Sequence, residues 1–371
     1  MKNQIDPNRI VYAIEENFKE ELSKPKLRNL ILTSIAIGKT EKLRINEIAK
    51  NLPVDVKRKK SKQTRLMRFL DNCLPLDSVM FSWTRLTLQK VYRRKSHKIM
   101  VLVDEVDLIN GYKALVAAIP FRNRAIPIVF KVFTDQQIRD LVYRSKNWVI
   151  WNFMDQACET IQKALWDIDS DMEPREPVFI FDRGFADVKL MKYLDCMGAK
   201  FIIRVRKNTG IMVKGYVGKL SDFGQWGYFR NVLYHMGERI EVNLFCAEDD
   251  SDQDDPVFIV SNIHDGIGLL YRLRMRIEEA FRDMKSLFGF KRLVLKDTEQ
   301  SRVEQILMLV IIGMGLLFLL FEKSGYRWSK YYNTSSRKEY SLIHVIADKI
   351  RVSWANLVTT PWFPLHNAVF Y

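Results

Sequence analysis

The chain has 371 residues, of which 59 are Lys or Arg and 44 Asp or Glu, for a formal charge of +15. With 47% hydrophobic and 28% charged residues it is too apolar to be disordered, and its length suits two or three domains of about 100–200 residues each. Cys73, Cys158, Cys196 and Cys246 form no CxxC pair and have no histidine at ligand spacing, which argues against a disulfide framework or structural zinc and fits a reducing cytoplasm. The opening MKNQIDPNRIVYAIEENF is too polar for a secretory signal. The longest apolar run, Ile306 to Phe321, has 16 residues, fewer than the ~18–20 that a bilayer needs, and reads as a buried core helix. A soluble, cytoplasmic protein with no membrane partner is expected. The excess of positive charge favours a polyanionic partner, because neutralised phosphates release condensed counterions.

Residues 1–95 read as short helices. Asn29-LILTSIAIG has a helical apolar pattern that stops at Gly38, Arg44-INEIAKNL is ended by Pro53, and Ser61-KQTRLMRFLDN follows. Lys57, Arg58, Lys59, Lys60, Lys62, Arg65 and Arg68 place seven cations in twelve positions with no acid among them. A helix, a short connection and a basic second helix outline a helix-turn-helix DNA reader, although a solvated face of a small helical domain would read the same way. A second cationic run, from Arg85 through Lys90, Arg93, Arg94, Lys95 and Lys98, leads into the next domain.

From residue 99 the period changes. Ile99-MVLVD, Tyr112-KALVAAIPF and Ile126-PIVFKVFT read as three strands, and Asn152 to Asp167 as a helix. Pro177-VFIFDRG is a strand, Val188-KLMKYLDCMG a helix closed by Gly198, and Lys200-FIIRVRKN a strand. Three strands, helix, strand, helix, strand is an α/β order, that of a ribonuclease H-like fold. Short β-like pieces interrupt it at about residues 209–263, where Trp226 is the only Trp. The acidic cluster Glu248 to Asp255 lacks the Gly and Glu of a calcium loop and reads as a solvated hairpin tip. Long helices are expected from about Gly266 to Phe290 and from about Glu299 to Lys323, with a mixed tail to Tyr371.

Two acids sit at strand ends: Asp104 closes Ile99-MVLVD and Asp182 closes Val178-FIF. If both strands are central and parallel, their carboxylates lie side by side and repel unless cations neutralise them. The helical stretch Tyr271-RLRMRIEEAFRDMKSLF offers a third acid. At about 100° per residue, Tyr271, Arg274, Glu278 and Lys285 share a face about 60° wide. Leu273, Ile277, Ala280, Phe281, Met284, Leu287 and Phe288 form the adjoining apolar face, while Glu279 and Asp283 point elsewhere. The angles alone also suit a surface helix carrying an i,i+4 Arg274–Glu278 pair.

The spacing Tyr, two residues, Arg, three residues, Glu, six residues, Lys resembles the signature of the DDE transposases of bacterial insertion sequences, in the branch known as insertion sequence family four. Asp182-RGFAD is similar to the motif around that family's second catalytic Asp, Val101-LVDEVDL to that around the first, and Phe201-IIRVRKN to the strand that follows. The resemblance covers about residues 99–325 and, more loosely, the IAKNLP and RLMRFLDN segments of the N-terminal region. Where many members carry Thr two residues after the first Asp, this chain has Val106. Asp104 is preferred to Asp107 because it ends the apolar strand.

The resemblance implies a helical DNA-binding domain at 1–95, a ribonuclease H-like catalytic domain at 96–325 with the β-rich insertion, and a C-terminal region at 326–371 that helps dimerisation. It further implies that Asp104, Asp182 and Glu278 hold two Mg²⁺ ions, for which Mn²⁺ can substitute. Arg274 and Lys285 would grip phosphates and Tyr271 would contact the same strand. Arg204 and Arg183 would reach DNA or, equally, make internal ion pairs. The enzyme would bind terminal inverted repeats through its basic N-terminal helices, cut the ends and transfer each 3′-OH into target DNA as a homodimer, through a hairpin in some relatives. A metal-dependent nuclease or resolvase on the same fold, or an inactive DNA-binding derivative, are the competing readings. Trp226 reads as a core or turn residue, or as the Trp that some relatives insert into distorted DNA.

Overall fold

Among the described residues, five helices precede the first strand: α1 (Asn8–Phe18), α2 (Lys24–Lys39), α3 (Ile45–Asn51), α4 (Lys59–Asp71) and α5 (Leu76–Val91). The computed structural model describes residues 6–40, 44–72, 74–92, 98–168, 176–248, 256–286, 299–332 and 340–354. Strands β1 (Lys98–Asp107), β2 (Tyr112–Phe121) and β3 (Arg124–Thr134) come next, then helices α6 (Asp135–Arg139) and α7 (Lys146–Ile168). After them the chain forms β4 (Glu176–Phe181), α8 (Val188–Cys196) and β5 (Lys200–Arg204). Five short strands follow: β6 (Gly210–Val213), β7 (Tyr216–Lys219), β8 (Gly227–Tyr234), β9 (Ile240–Ala247) and β10 (Val257–Ser261). Helices α9 (Ile267–Tyr271), α10 (Met275–Ser286), α11 (Gln300–Tyr332) and α12 (Leu342–Ser353) complete the described chain.

The ten strands among the described residues form one sheet in the order β3-β2-β1-β4-β5-β10-β9-β8-β6-β7. β1, β2 and β3 form an antiparallel meander, with Arg122 in the left-handed region (φ 56°) in the two-residue turn between β2 and β3. β4 runs parallel to β1 and β5 parallel to β4, each reached through a helix. The β-rich segment expected at about residues 209–263 extends this sheet, because β10 pairs antiparallel with β5, opposing Ile259 to Arg204. The acidic stretch expected at its tip falls mostly outside the described residues.

Strand alternation divides the core into two faces. Ile99, Val101, Val103, Phe179, Phe181, Phe201 and Ile203 pack with Val149, Phe153 and Met191 of α7 and α8. Leu102, Val106, Val178, Ile180 and Ile202 face the other way, into a cluster with residues of α1, α2, α5, α10, α11 and α12. The N-terminal and C-terminal helices thus share one core with the sheet.

The helix holding the apolar run is longer than the run suggested. α11 spans 33 residues, and an 18-residue window of it has mean hydropathy 2.4, long and apolar enough to cross a membrane by length and composition. Its packing gives another reason for that composition: 83% of the window is buried inside the protein, against α2, α5, α12 and β3. Gly315 marks the tightest contact, where a Cβ would stand 2.3 Å from the ring of Trp83. Cys158, Cys196 and Cys246 are free thiols, and burial pushes Cys158 and Cys246 up to about 12, far from reactivity at neutral pH.

Candidate active site

Side-chain parity on the strands sets the site. Asp104 shares the face of Leu102 and Val106 on β1, and Asp182 follows Ile180 on the same side of β4. The parallel pairing runs from Lys98↔Glu176 to Val103↔Phe181, so Asp104 and Asp182 are the next residues in register. Asp104 does not end its strand, as expected from the apolar run: β1 continues to Asp107, held by β2 through Asp104↔Val116 to Asp107↔Lys113. The pairing with β4 is what stops at Val103. Asp107 is exposed, whereas Asp104 is 18% exposed and turned toward the helices that follow β10.

Those helices do not form the single rod assumed for the angular argument. α9 ends at Tyr271, a 3₁₀ turn covers Arg272–Arg274, and α10 begins at Met275. The tighter turn still leaves Arg274 and Glu278 paired, and it aims the guanidinium at the strand ends. Arg274 bonds to Glu278 and lies 3.8 Å from a carboxylate oxygen of Asp104 and 3.8 Å from one of Asp182. One cation, itself 12% exposed, therefore meets three acids from three separate parts of the chain. Ile277, Ala280 and Phe281 of α10 are buried in the core, as its apolar face required.

The charge at this centre is unbalanced. Burial raises the pKa of Asp104 from the ordinary 3.8 to about 6; the Glu105 backbone N–H and Arg274 oppose the shift, while Asp182 and Glu278 add to it. Burial works against the charge of Arg274, but Tyr271, Asp182 and Glu278 outweigh it and hold its pKa above the ordinary value. Tyr271 lies within electrostatic reach of Arg274, Asp182, Arg204 and Glu278; burial pushes its phenol up, so it stays protonated. Its hydroxyl is buried with no hydrogen-bond partner among the described residues. An orphaned O–H in reach of two cations and two acids is a donor waiting for an acceptor.

A divalent ion fits this donor set by its chemistry. Carboxylate oxygens are the hard ligands Mg²⁺ prefers, and three of them with one guanidinium leave net negative charge. Among the described residues no three His, Cys, Asp or Glu side chains form a ready metal shell, and Arg274 lies 3.8 Å from both Asp104 and Asp182.

The remaining expected residues lie in two other places. Arg204 ends β5 near Tyr271, on the carboxylate side. Arg183 is exposed in a 3₁₀ turn and borders a different cleft. The side chain of Lys285 lies outside the described residues. Arg58, Lys60, Arg65 and Arg68 line a groove of about 840 Å³ between α4 and the start of α2, joined by Lys26. Arg65 also donates to the Asn29 side chain at 2.9 Å, Lys57 and Lys59 are exposed beside the groove, and Lys62 turns inward to donate to the Leu52 carbonyl at 2.9 Å. α4 has no acid in its first turn, so its N-terminal cations oppose the helix dipole, which an incoming phosphate would relieve. Residues 52–58 separate α3 from α4, a longer connection than the three or four residues of the usual helix-turn-helix. Trp226 is 49% exposed just before β8, so it is no core residue.

Sequence reasoning passed over two residues. Asp283 is 7% exposed and receives Arg124 at 2.7 Å and the Ser341 hydroxyl at 3.2 Å. Arg124 also meets Glu279 at 3.3 Å, so the turn of β2–β3 anchors α10 from the side opposite Arg274.

Residues 153–314 match the family model described as transposase DDE domain. The match supports a DDE transposase. It contains Asp182, Tyr271, Arg274, Glu278 and Lys285 and begins after Asp104. No curated protein matches the chain. The match supports transposase activity and implies DNA as the substrate, and the mixed α/β sheet with its helices fits such a domain.

Proposed function

We propose that the protein binds the terminal inverted repeats of its own insertion sequence, cleaves the ends by metal-dependent phosphodiester hydrolysis and joins the 3′-OH ends to target DNA. The observation that carries this reading is the convergence of Asp104, Asp182 and Glu278 on Arg274, with two of the three acids inside the transposase match. The order β3-β2-β1-β4-β5, with β1 and β4 parallel, supports a ribonuclease H-like core.

Asp104, Asp182 and Glu278 would hold two Mg²⁺ ions, or Mn²⁺ in their place, which supply Lewis acidity for activating the attacking oxygen and stabilising the departing one. The sheet fixes Asp104 and Asp182 in adjacent register, and α10 carries Glu278 to them. Arg274, now shared among three acids, is the cation nearest to where a scissile phosphate must sit. Tyr271 offers its protonated hydroxyl to a phosphate oxygen, and Arg204 and Lys285 add positive charge along the same strand. The basic groove of α4 and α2 reads the end, with phosphate contacts positioning the protein and base-edge contacts selecting the sequence. Two copies pair the two ends as a homodimer.

The test is to incubate purified protein and Mg²⁺ with a DNA fragment carrying its own gene and both flanks, and to map every new 3′ end. Paired cuts at inverted repeats, followed by joining to a second plasmid and absent in Asp182→Asn, are expected. Cleavage without joining would replace the proposal with a metal-dependent nuclease. End binding without cleavage in Mg²⁺ or Mn²⁺ would leave only a DNA-binding derivative.

A further inference from the structure

Across the sheet from Arg274, α7, the turn at Arg183–Phe185, the start of α8 and the ends of β6 and β8 enclose a cleft of about 560 Å³. Lys146, Lys189, Arg183, Arg206 and His235 line it, against the acids Asp187 and Glu238. Those acids are already engaged. Asp187 caps α8 by accepting the Lys189 N–H at 2.7 Å and also accepts the Asn147 side chain at 2.7 Å, while Glu238 pairs with Lys189 at 3.7 Å. Lys146 is taken by Glu105 at 2.8 Å. Arg183 and Arg206 are exposed, and neither has a carboxylate partner among the described residues. On the cleft wall, Trp151 stacks on Tyr193 with ring centroids 5.2 Å apart.

Two exposed guanidiniums on one cleft, with no carboxylate partner among the described residues, suit an anion rich in acceptor oxygens. The cleft is too small for a duplex but large enough for a phosphate and its sugar. A duplex would therefore lie across its mouth with one backbone dipping in. Arg183 directly follows Asp182, so such a backbone reaches the carboxylates from the α7 side, whereas Tyr271, Arg274 and Arg204 approach them from the α10 side. We infer that this cleft holds the sugar-phosphate backbone of a second DNA duplex, the one that receives the cut end. The inference rests on the strand-transfer reading above.

The first test measures binding to a 30-bp duplex without the flanking sequence, in EDTA, from about 50 to 200 mM salt. Each lost phosphate contact removes about 0.9 from the slope of log K against log salt, so Arg183→Ala with Arg206→Ala should flatten it by about 2. Affinity at the lowest salt should fall about tenfold or more. Both residues are exposed, so the melting temperature should not move. An unchanged slope and affinity would overturn the inference. The second test loads the protein with a labelled flank fragment and then offers the unrelated duplex. Wild type should capture both, and Arg206→Glu should keep the first and lose the second. Loss of the first instead, or no second capture by wild type, would overturn the inference. Neither test needs cleavage, so a failure of the catalytic reading shows separately, as intact duplex binding with no cut in Mg²⁺.

Discussion

α10 has an arginine-centred charge cluster on each side, and the two differ in balance. On one side Arg124 and Arg282 face Glu279 and Asp283, with Ser341 donating as well, so two cations meet two acids. On the other side, among the described residues, Arg274 is the one cation that ion-pairs with Asp104, Asp182 and Glu278. Asp283 is 10% exposed at its side chain, whereas Asp182 and Glu278 are 39% and 37% exposed. A closed, neutral cluster holds a helix in place. An open one with an excess of acid is poorly suited to stability and well suited to binding cations, the mark of a working site.

Disrupting the balanced cluster should have the largest effect. Arg124→Ala leaves Asp283 buried without its cation, and denaturant unfolding should register a loss of about 4 kcal/mol, with no recovery in Mg²⁺. A change below about 1 kcal/mol would mean that the cluster does not anchor α10.

Asp104→Asn should act in the opposite direction. The folded pKa of Asp104 lies above its ordinary value, so the native state binds its proton more tightly and stability falls as pH rises from about 3.8 to about 6. At pH 7 in EDTA the variant should therefore be more stable than wild type by about 2–3 kcal/mol. That advantage should shrink below pH 6 and vanish near pH 4. A pH-independent difference would remove the charge argument.

Arg274→Gln should have the smallest effect on stability, a loss of about 1 kcal/mol in EDTA, because two of its three acids are screened by solvent. Mg²⁺ should raise the melting temperature of this variant more than that of wild type, since ion and guanidinium compete for the same oxygens. Equal metal shifts would separate Arg274 from the metal site.

The two clusters were unequally legible in the sequence. Strand alternation and the apolar runs put Asp104 and Asp182 side by side only on the condition that their strands are parallel neighbours, a pairing that side-chain pattern does not fix, whereas the i,i+4 spacing was enough to pair Arg274 with Glu278. The break at Arg272–Arg274 carried no Gly or Pro to announce it. Asp283 was misjudged because helical angles tell which residues share a face but not what stands opposite, and its partners come from the β2–β3 turn and α12. For the same reason, the apolar faces of α2 and α11 were visible while their contact with each other was not. The joining of β10 to β5 depends on edge hydrogen bonds that leave no side-chain pattern.

The claim that three acids act as one centre is tested most directly by DNA cleavage rates in Mg²⁺ for Asp104→Asn, Asp182→Asn, Glu278→Gln and their pairwise combinations, alongside end binding. Each single variant should lose cleavage to background, the doubles should be no worse than the singles, and binding should persist throughout. A single variant that kept a substantial part of the wild-type rate, or losses that multiplied from one acid to the next, would contradict it.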